Sequence, residues 1–207
     1  MSMKAAVHRP ELHQRLTKDE INACPLVRWS GPVQVVSTAE ALAAAAEHLA
    51  AERLLGFDTE TRPSFRKGES HPPALLQLAC ESVVFIFQLH RIGLPASLRA
   101  LLADPAILKA GVAPARDLRE LQQLAFFEPA GFVDLARMAK EAGFQNHGLR
   151  GLAAALLGCR IAKGARTSNW AQATLNPAQI GYAATDAWLG RELYRRLLQL
   201  PAIHSSR

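Results

Sequence analysis

The sequence predicts an α/β fold with a mixed central sheet of three sequential antiparallel strands plus further strands, flanked by helices. Three apolar runs of strand length, Leu54–Glu60, Ala74–Ala79 and Val83–Leu89, follow one another closely. Only three residues separate the last two runs, which indicates a hairpin. After Pro95 the leucines take helical spacing, so strands dominate the first half of the domain and helices the second.

The chain before these runs divides into a lead-in and a first strand and helix. Residues 1–30 show no clear periodicity, and we expect an N-terminal arm or lead-in there, with a single domain over residues 31–207. Val33–Val36 has the character of a short strand. Ser37 and Glu40 have capping-box spacing, which predicts a helix through the alanine-rich segment that follows.

Residues 61–73 are predicted to form a loop, because they contain three prolines, one glycine and mostly polar side chains. The remaining elements are marked by apolar spacing and by proline or glycine at their ends. They are a helix around Leu98–Leu102, a strand over Ile107–Val112, a helix from near Pro114, a strand or turn leading into a helix over Phe132–Lys140, and helices over Leu149–Leu157 and Pro177–Leu200.

Composition indicates a globular chain with a basic surface. The 207 residues are 49% hydrophobic, and mean hydropathy is +0.02. No apolar run approaches the roughly 20 residues that cross a bilayer, and the first residues lack the apolar core of a signal peptide, so we expect a cytoplasmic protein without membrane partners. The net charge of +6 favours polyanionic partners. The three cysteines have neither disulfide-framework nor zinc-site spacing.

Two acids at the end of a predicted strand are the first candidate site residues. Asp58 and Glu60 are two positions apart, so their side chains share one face of the strand. Two carboxylates crowded on a buried face repel each other, and a divalent ion such as Mg²⁺ or Mn²⁺ relieves that repulsion. For an isolated Asp-x-Glu pair, a turn cap and a solvated acid are the plainer interpretation.

Three more candidate site residues lie on predicted helices, beside apolar positions. Tyr182 and Asp186 are four positions apart, so they share one face of the last helix. Asp117 lies near the start of another predicted helix. Taken singly, a tyrosine in the core, a solvated aspartate and an acid favoured by the helix dipole explain these positions as well.

The three motifs together resemble motifs I, II and III of the DEDD superfamily of 3′→5′ exonucleases. They are GFDTET, GVAPARDLREL and GYAATDAW, and the tyrosine four residues before the last aspartate matches the DEDDy branch. The family includes ribonuclease D and the exonuclease domain of the Werner syndrome helicase. PPALLQLA and the stretch from GLRGLAAALLG into the third motif extend the resemblance over roughly residues 33–200.

This resemblance implies a ribonuclease H-like fold and hydrolysis of phosphodiester bonds at the 3′ end of single-stranded or 3′-overhang DNA or RNA. It implies two divalent cations, Mg²⁺ or Mn²⁺, and nucleoside 5′-monophosphates as products. Asp58 would bridge both ions, Glu60 and Asp186 would complete the first site, and Asp117 would serve the second. Tyr182 would orient the attacking water.

Two polar loops are candidates for substrate contact, because arginine and lysine suit phosphate and an aromatic ring can stack on a base. The candidate residues are Thr61, Arg62, Phe65, Arg66, Lys67, His71, Lys163 and Arg166. Two other functions stay open. One is a phosphodiesterase for very short oligonucleotides, and the other is a catalytically silent nucleic-acid-binding module on the same fold. DNA or RNA preference, the pathway and the oligomeric state do not follow from the sequence.

Overall fold

The computed structural model describes residues 14–64, 66, 68, 71–162, 164 and 167–200. Within these residues the chain forms six strands and eight helices. The strands are β1 (Val33–Val36), β2 (Leu54–Thr61), β3 (Pro73–Ala79), β4 (Val84–Gln88), β5 (Leu108–Gly111) and β6 (Phe132–Asp134). The helices are α1 (Lys18–Ala23), α2 (Ala39–Ala50), α3 (Leu89–Ile92), α4 (Ala96–Ala103), α5 (Ala115–Leu124), α6 (Leu135–Glu141), α7 (Leu149–Leu157) and α8 (Pro177–Leu198).

All six strands belong to one mixed sheet of order β1-β4-β3-β2-β5-β6. β2, β3 and β4 run antiparallel to one another in sequence order, which confirms the predicted three-stranded unit. β1 pairs parallel to β4, and β5 and β6 extend the other side in parallel. β2 therefore lies inside the sheet. β5 pairs with its first half, Leu54–Gly56, whereas the carboxyl end that carries Asp58 and Glu60 pairs with β3.

Alternation along the strands gives the sheet two apolar faces. Leu55, Phe57 and Leu76 belong to the core cluster on one face. Leu75 and Ala79 lie on the other face, in the cluster that includes residues of α8. Since side chains alternate along a strand, Asp58 and Glu60 share the face that is covered by α8. Burial of the neighbouring apolar residues thus orients both acids toward this helix.

Two glycines allow α8 to approach the sheet closely. A Cβ added at Gly56 would overlap the Ala187 carbonyl, and one added at Gly190 would come within 2.6 Å of the Ala110 carbonyl oxygen. Neither glycine has room for a side chain, so these contacts need glycine for close packing. Gly56 precedes Asp58 by two residues, and the close approach therefore brings α8 against the acidic end of β2.

The described part of the N-terminal segment packs on the domain without extended regular structure. We call residues 24–29 the N-terminal strap. Its backbone forms a bridge between Leu26 and Arg160, and the Trp29 ring lies 5.8 Å from that of Trp188. The helix α1 precedes the strap and was not predicted, because it is short and buries no residue that would give the sequence a periodic pattern. Residues 1–13 lie outside the described part.

Some local details differ from the predictions. α2 begins after Thr38, whose side chain accepts a hydrogen bond from the Ala41 amide, so the prediction of a capping box at Ser37 and Glu40 was wrong by one position. Gly158 ends α7 with a φ of 63°, as expected for a glycine cap. Among the described helices, none joins enough length to enough apolar character to cross a membrane.

Candidate active site

Three acids from two elements meet where α8 crosses the end of β2. One carboxylate oxygen from each of Asp58, Glu60 and Asp186 lies within 4.8 Å of the others. Glu60 and Asp186 retain only 9% and 6% of their exposure, so little water screens their mutual repulsion. The prediction that Asp58 and Glu60 share one strand face is confirmed, and α8 adds the third carboxylate.

Burial and mutual repulsion oppose ionisation of these acids. Burial raises the pKa of Asp58 well above its ordinary value, and the neighbouring charges of Asp186 and Asp117 raise it further. Burial also raises the pKa of Asp186 to about 7, although the hydrogen bond with Tyr182 acts in the opposite direction. A positive charge among these groups would favour their ionised forms.

Tyr182 lies one helical turn before Asp186, and its hydroxyl donates a hydrogen bond to the Asp186 carboxylate. Its ring lies 5.9 Å from that of Trp170, which is fully buried. Burial and the surrounding acids hold the pKa of Tyr182 far above its ordinary value, so the phenol stays protonated at neutral pH. The predicted position of Tyr182 on the same face as Asp186 is confirmed, and Trp170 packs against the Tyr182 ring.

Asp117 lies beside the cluster, in the first turn of α5. The Thr59 hydroxyl, between the two acids of β2, donates a hydrogen bond of 2.7 Å to Asp117 Oδ1. Burial raises the pKa of Asp117, although the hydrogen bond from Thr59 lowers it. Thr59 thus connects α5 to the end of β2, a role that no sequence pattern indicated.

The loop before Asp117 has an unusual backbone. Ala113 has a φ of 53°, in the left-handed region that glycine normally occupies. Its amide donates a hydrogen bond of 3.0 Å to Asp134, which also caps α6 through the Ala136 amide. Asp134 therefore holds the start of α6 and the turn into α5 together, and this contact helps to position Asp117.

The carboxylate cluster fits a hard divalent cation. Asp186 Oδ1 is buried and has no hydrogen-bond partner among the described residues, although a carboxylate oxygen in that position requires one. Carboxylate oxygens are the ligands that Mg²⁺ and Mn²⁺ prefer. Asp58, Glu60 and Asp186 are the residues that would hold such an ion directly, and Asp117 is close enough to act on Asp58 electrostatically.

A second trio of potential ligand atoms lies elsewhere, on His48, Glu52 and Cys80. Burial raises the pKa of the Cys80 thiol to about 12, and the thiol donates a hydrogen bond to Glu52. Metal binding needs the thiolate, which this environment disfavours. The carboxylate cluster is therefore the stronger metal candidate.

The predicted substrate-binding residues are only partly within the described chain. Thr61 ends β2, at a register irregularity between Glu60 and Thr61, and Arg62 and Arg66 are exposed beyond it. His71 lies just before β3 and is partly buried. Phe65, Lys67, Lys163 and Arg166 lie outside the described residues. The substrate-contact assignments remain predictions.

A cavity of about 270 Å³ opens beside the cluster. It is lined by Tyr182 and Asp186 of α8, by residues of the segment 161–168, and by Val27 and Arg28 of the N-terminal strap. The strap residues were not among the predicted site residues, because irregular structure without periodicity gives no sequence signal of where it packs.

Comparison with known proteins gives consistent matches. A sequence model described as 3′-5′ exonuclease matches residues 33–200. A ribonuclease D of Acidiphilium cryptum is 37% identical over 168 residues, which cover 79% of this chain and 42% of that protein. The exonuclease 3′-5′ domain-containing protein 2 of Drosophila melanogaster is 35% identical over 154 residues, which cover 72% of this chain and 26% of that protein. The chain thus spans less than half the length of these relatives.

Among solved structures, a Trypanosoma brucei RNase D in complex with RNA U12 superimposes with a TM-score of 0.75. The alignment covers 84% of this chain and 65% of that one, at 21% sequence identity. This likeness concerns the fold, and the predicted ribonuclease H-like fold is confirmed.

Proposed function

The chain belongs to the 3′-5′ exonuclease family that includes ribonuclease D, and from this we propose that it removes nucleotides from the 3′ end of a nucleic acid by metal-dependent hydrolysis. The observation that carries the proposal is the assembly of Asp58, Glu60 and Asp186 within 4.8 Å, with Asp117 and Tyr182 beside them. A catalytically silent module would have no need for so costly a group of buried acids.

We propose two divalent ions, Mg²⁺ or Mn²⁺, at this cluster. Bound there, they would supply Lewis-acid activation of water and stabilisation of the charge that develops on the phosphate oxygens. The charges of both Asp186 and Asp117 act on Asp58, which suits a ligand that would be shared by two ions. Glu60 and Asp186 would help to hold the first ion, and Asp117 would help to hold the second.

The remaining residues orient the reacting groups. Tyr182 stays protonated, so it is suited to donate or share a hydrogen bond and not to act as a base. We propose that its hydroxyl fixes the position of the attacking water beside Asp186. Asp117 keeps its position through Thr59, which links the second site to the strand that carries the first.

We propose a single-stranded or 3′-overhang DNA or RNA as the substrate and nucleoside 5′-monophosphates as the products. The basic balance of the chain, +6, supports attraction of a phosphate backbone. The fold resembles that of an RNase D that was crystallised with RNA. Discrimination between DNA and RNA depends on contacts to the 2′-hydroxyl, so both must be tested.

The decisive experiment incubates the purified protein with 5′-labelled single-stranded DNA and RNA in a series of lengths, with Mg²⁺, Mn²⁺ or EDTA. A metal-dependent ladder that shortens from the 3′ end is the expected result. The Asp58→Ala variant, run beside the wild type, should give no ladder. Cleavage confined to the shortest strands would instead assign a phosphodiesterase for very short oligonucleotides.

Two results would contradict the proposal. Full turnover by Asp58→Ala would remove the metal site from the mechanism. Absence of cleavage by the wild type with every strand and both metals would favour a binding module without catalysis.

A further inference from the structure

The N-terminal strap is fixed on both sides of Arg28. The Arg160 amide donates a hydrogen bond of 2.9 Å to the Pro25 carbonyl, and the Val27 amide donates one of 2.9 Å to the Arg160 carbonyl. On the other side, the Trp29 amide donates a hydrogen bond of 3.0 Å to Thr185 Oγ1 on α8. Arg28 thus lies between two anchored residues, and its backbone position is defined.

The anchored strap directs Arg28 to the cavity beside the acidic cluster. Arg28 lines the same cavity of about 270 Å³ as Tyr182 and Asp186. It is exposed, and within the described part of the chain its guanidinium forms no ion pair or hydrogen bond. A cation that lines the same cavity as Asp186 without pairing to it is available to an anionic ligand.

The size and lining of the cavity suit one nucleotide unit. Its volume lies near the lower end, about 300 Å³, of the range for small-molecule sites. Ser168 and Asn176 add hydrogen-bonding groups to the lining. Guanidinium binds phosphate through paired, charge-assisted hydrogen bonds, so Arg28 gives this cavity a preference for a phosphate group.

We propose that Arg28 binds the phosphate immediately upstream of the scissile phosphate in a single-stranded nucleic acid, and that the cavity holds the nucleotide bearing it. The scissile phosphate belongs at the carboxylate cluster, which leaves the neighbouring one for Arg28. This proposal rests on the proposed exonuclease function. Arg28 lies outside the segment 33–200 that the family's sequence model matches.

Two dinucleotides that differ by one phosphate test the contact directly. A 5′-hydroxyl dinucleotide carries the scissile phosphate alone, whereas its 5′-phosphorylated form also carries the upstream phosphate. Both are used, as deoxy and ribo forms, as competitors of the cleavage of a labelled strand. With wild type, we expect the 5′-phosphorylated form to inhibit about tenfold more strongly, the size of one good charge-assisted contact.

In Arg28→Ala this preference should disappear, with inhibition by the 5′-hydroxyl form unchanged, and Arg28→Lys should retain part of it. Arg53→Ala is the matched control, because it removes the same charge from another exposed arginine. Arg53 directly precedes β2, at the end of the strand opposite to Asp58 and Glu60. For longer strands we expect a rise of about tenfold in KM in Arg28→Ala with little change in kcat.

A preference that persists in Arg28→Ala, or an equal loss of affinity for both dinucleotides, would overturn the assignment. If the wild type cleaves no strand, the proposed function fails, and calorimetric binding of the two intact dinucleotides then decides the role of Arg28 by the same comparison. If the wild type cleaves and only the Arg28 effect is missing, the subsite alone is wrong.

Discussion

At the scale of single residues, we expect Asp58 to have opposite effects on catalysis and on the stability of the metal-free fold. Its pKa is raised by burial and by two neighbouring acids, so its charge opposes folding unless a cation is bound. We expect Asp58→Asn to lose activity while raising the stability of the metal-free protein by about 1 kcal/mol, or roughly 2–4 °C.

Thermal unfolding at pH 8 with EDTA or with Mg²⁺ measures this effect. The wild type should gain stability from Mg²⁺, whereas Asp58→Asn should gain little. The advantage of the metal-free variant should shrink at pH 5, because a raised folded-state pKa lets the fold bind protons that the unfolded chain has lost. If the metal-free variant is less stable than the wild type at both pH values, the charge of Asp58 does not oppose folding.

Tyr182→Phe tests a hydroxyl without disturbing the packing of its ring. The ring contact with Trp170 remains, and the hydrogen bond to Asp186 is lost. We expect kcat to fall about 10- to 100-fold with metal affinity unchanged. The ratio of wild-type to variant rates should be the same at pH 7 and pH 9, because burial, the largest cause of the raised pKa of Tyr182, persists when metal ions are bound. A ratio that rises with pH would indicate that the phenolate is the active form.

At the scale of elements, local sequence patterns predicted which side chains share one face of a strand or a helix. The period of two placed Asp58 and Glu60 on one face, and the period of 3.6 placed Tyr182 beside Asp186. Thr59 and Trp170 became part of the site only through contacts with α5 and α8, which sequence spacing does not reveal. The distance between sheet and helix depends on Gly56 facing Ala187, more than 100 residues away in sequence, so no single motif contains it.

The position of the N-terminal strap could also not be predicted from local sequence. Its residues have no periodicity, because their partners are single groups on distant elements, such as Arg160 and Thr185. The sequence therefore indicated a lead-in without indicating where it lies. Ser37 and Thr38 are adjacent and both belong to the residue types that cap helices, so the sequence did not decide which of them caps α2.

Lys109 connects α4 to β5, and we expect it to make the stability of the fold depend on pH. It is fully buried, and its ammonium donates hydrogen bonds to the Leu101 and Asp104 carbonyls at the end of α4. Burial lowers the pKa of Lys109 to about 8 from an ordinary 10.5, although Asp104 opposes the shift. Between these values the unfolded chain binds more protons than the folded one, so this group adds stability as pH rises.

Lys109→Met removes that contribution while keeping an unbranched side chain. We expect the free energy of unfolding of the wild type, minus that of the variant, to increase by about 1–2 kcal/mol between pH 7 and pH 10. Urea unfolding of both proteins at each pH gives this difference in free energy of unfolding. The titration of the other groups cancels in the difference. A difference that stays constant with pH would mean that Lys109 titrates normally in the folded state.

At the scale of the whole molecule, charge is divided between an acidic site and a basic surface. The chain carries 24 lysines and arginines against 18 aspartates and glutamates, although four of its acids meet at one place. The surplus of positive charge therefore lies away from that cluster. In the proposed function the basic surface would attract the phosphate backbone, and the acidic cluster would bind the metal ions.

Salt dependence of binding measures how many phosphates that surface contacts. With Asp58→Asn to prevent cleavage and Mg²⁺ held constant, anisotropy of a labelled single strand gives the association constant from about 50 to about 200 mM KCl. Its logarithm should fall linearly with that of the salt concentration, by about 0.7 for each phosphate contacted. Arg62→Ala, in the exposed segment after β2, should lower the slope by about 0.7, and Arg53→Ala should leave it unchanged. An equal slope in all three proteins would show that the segment after β2 does not contact the backbone, and the strand would then have to reach the cluster from the side of the N-terminal strap.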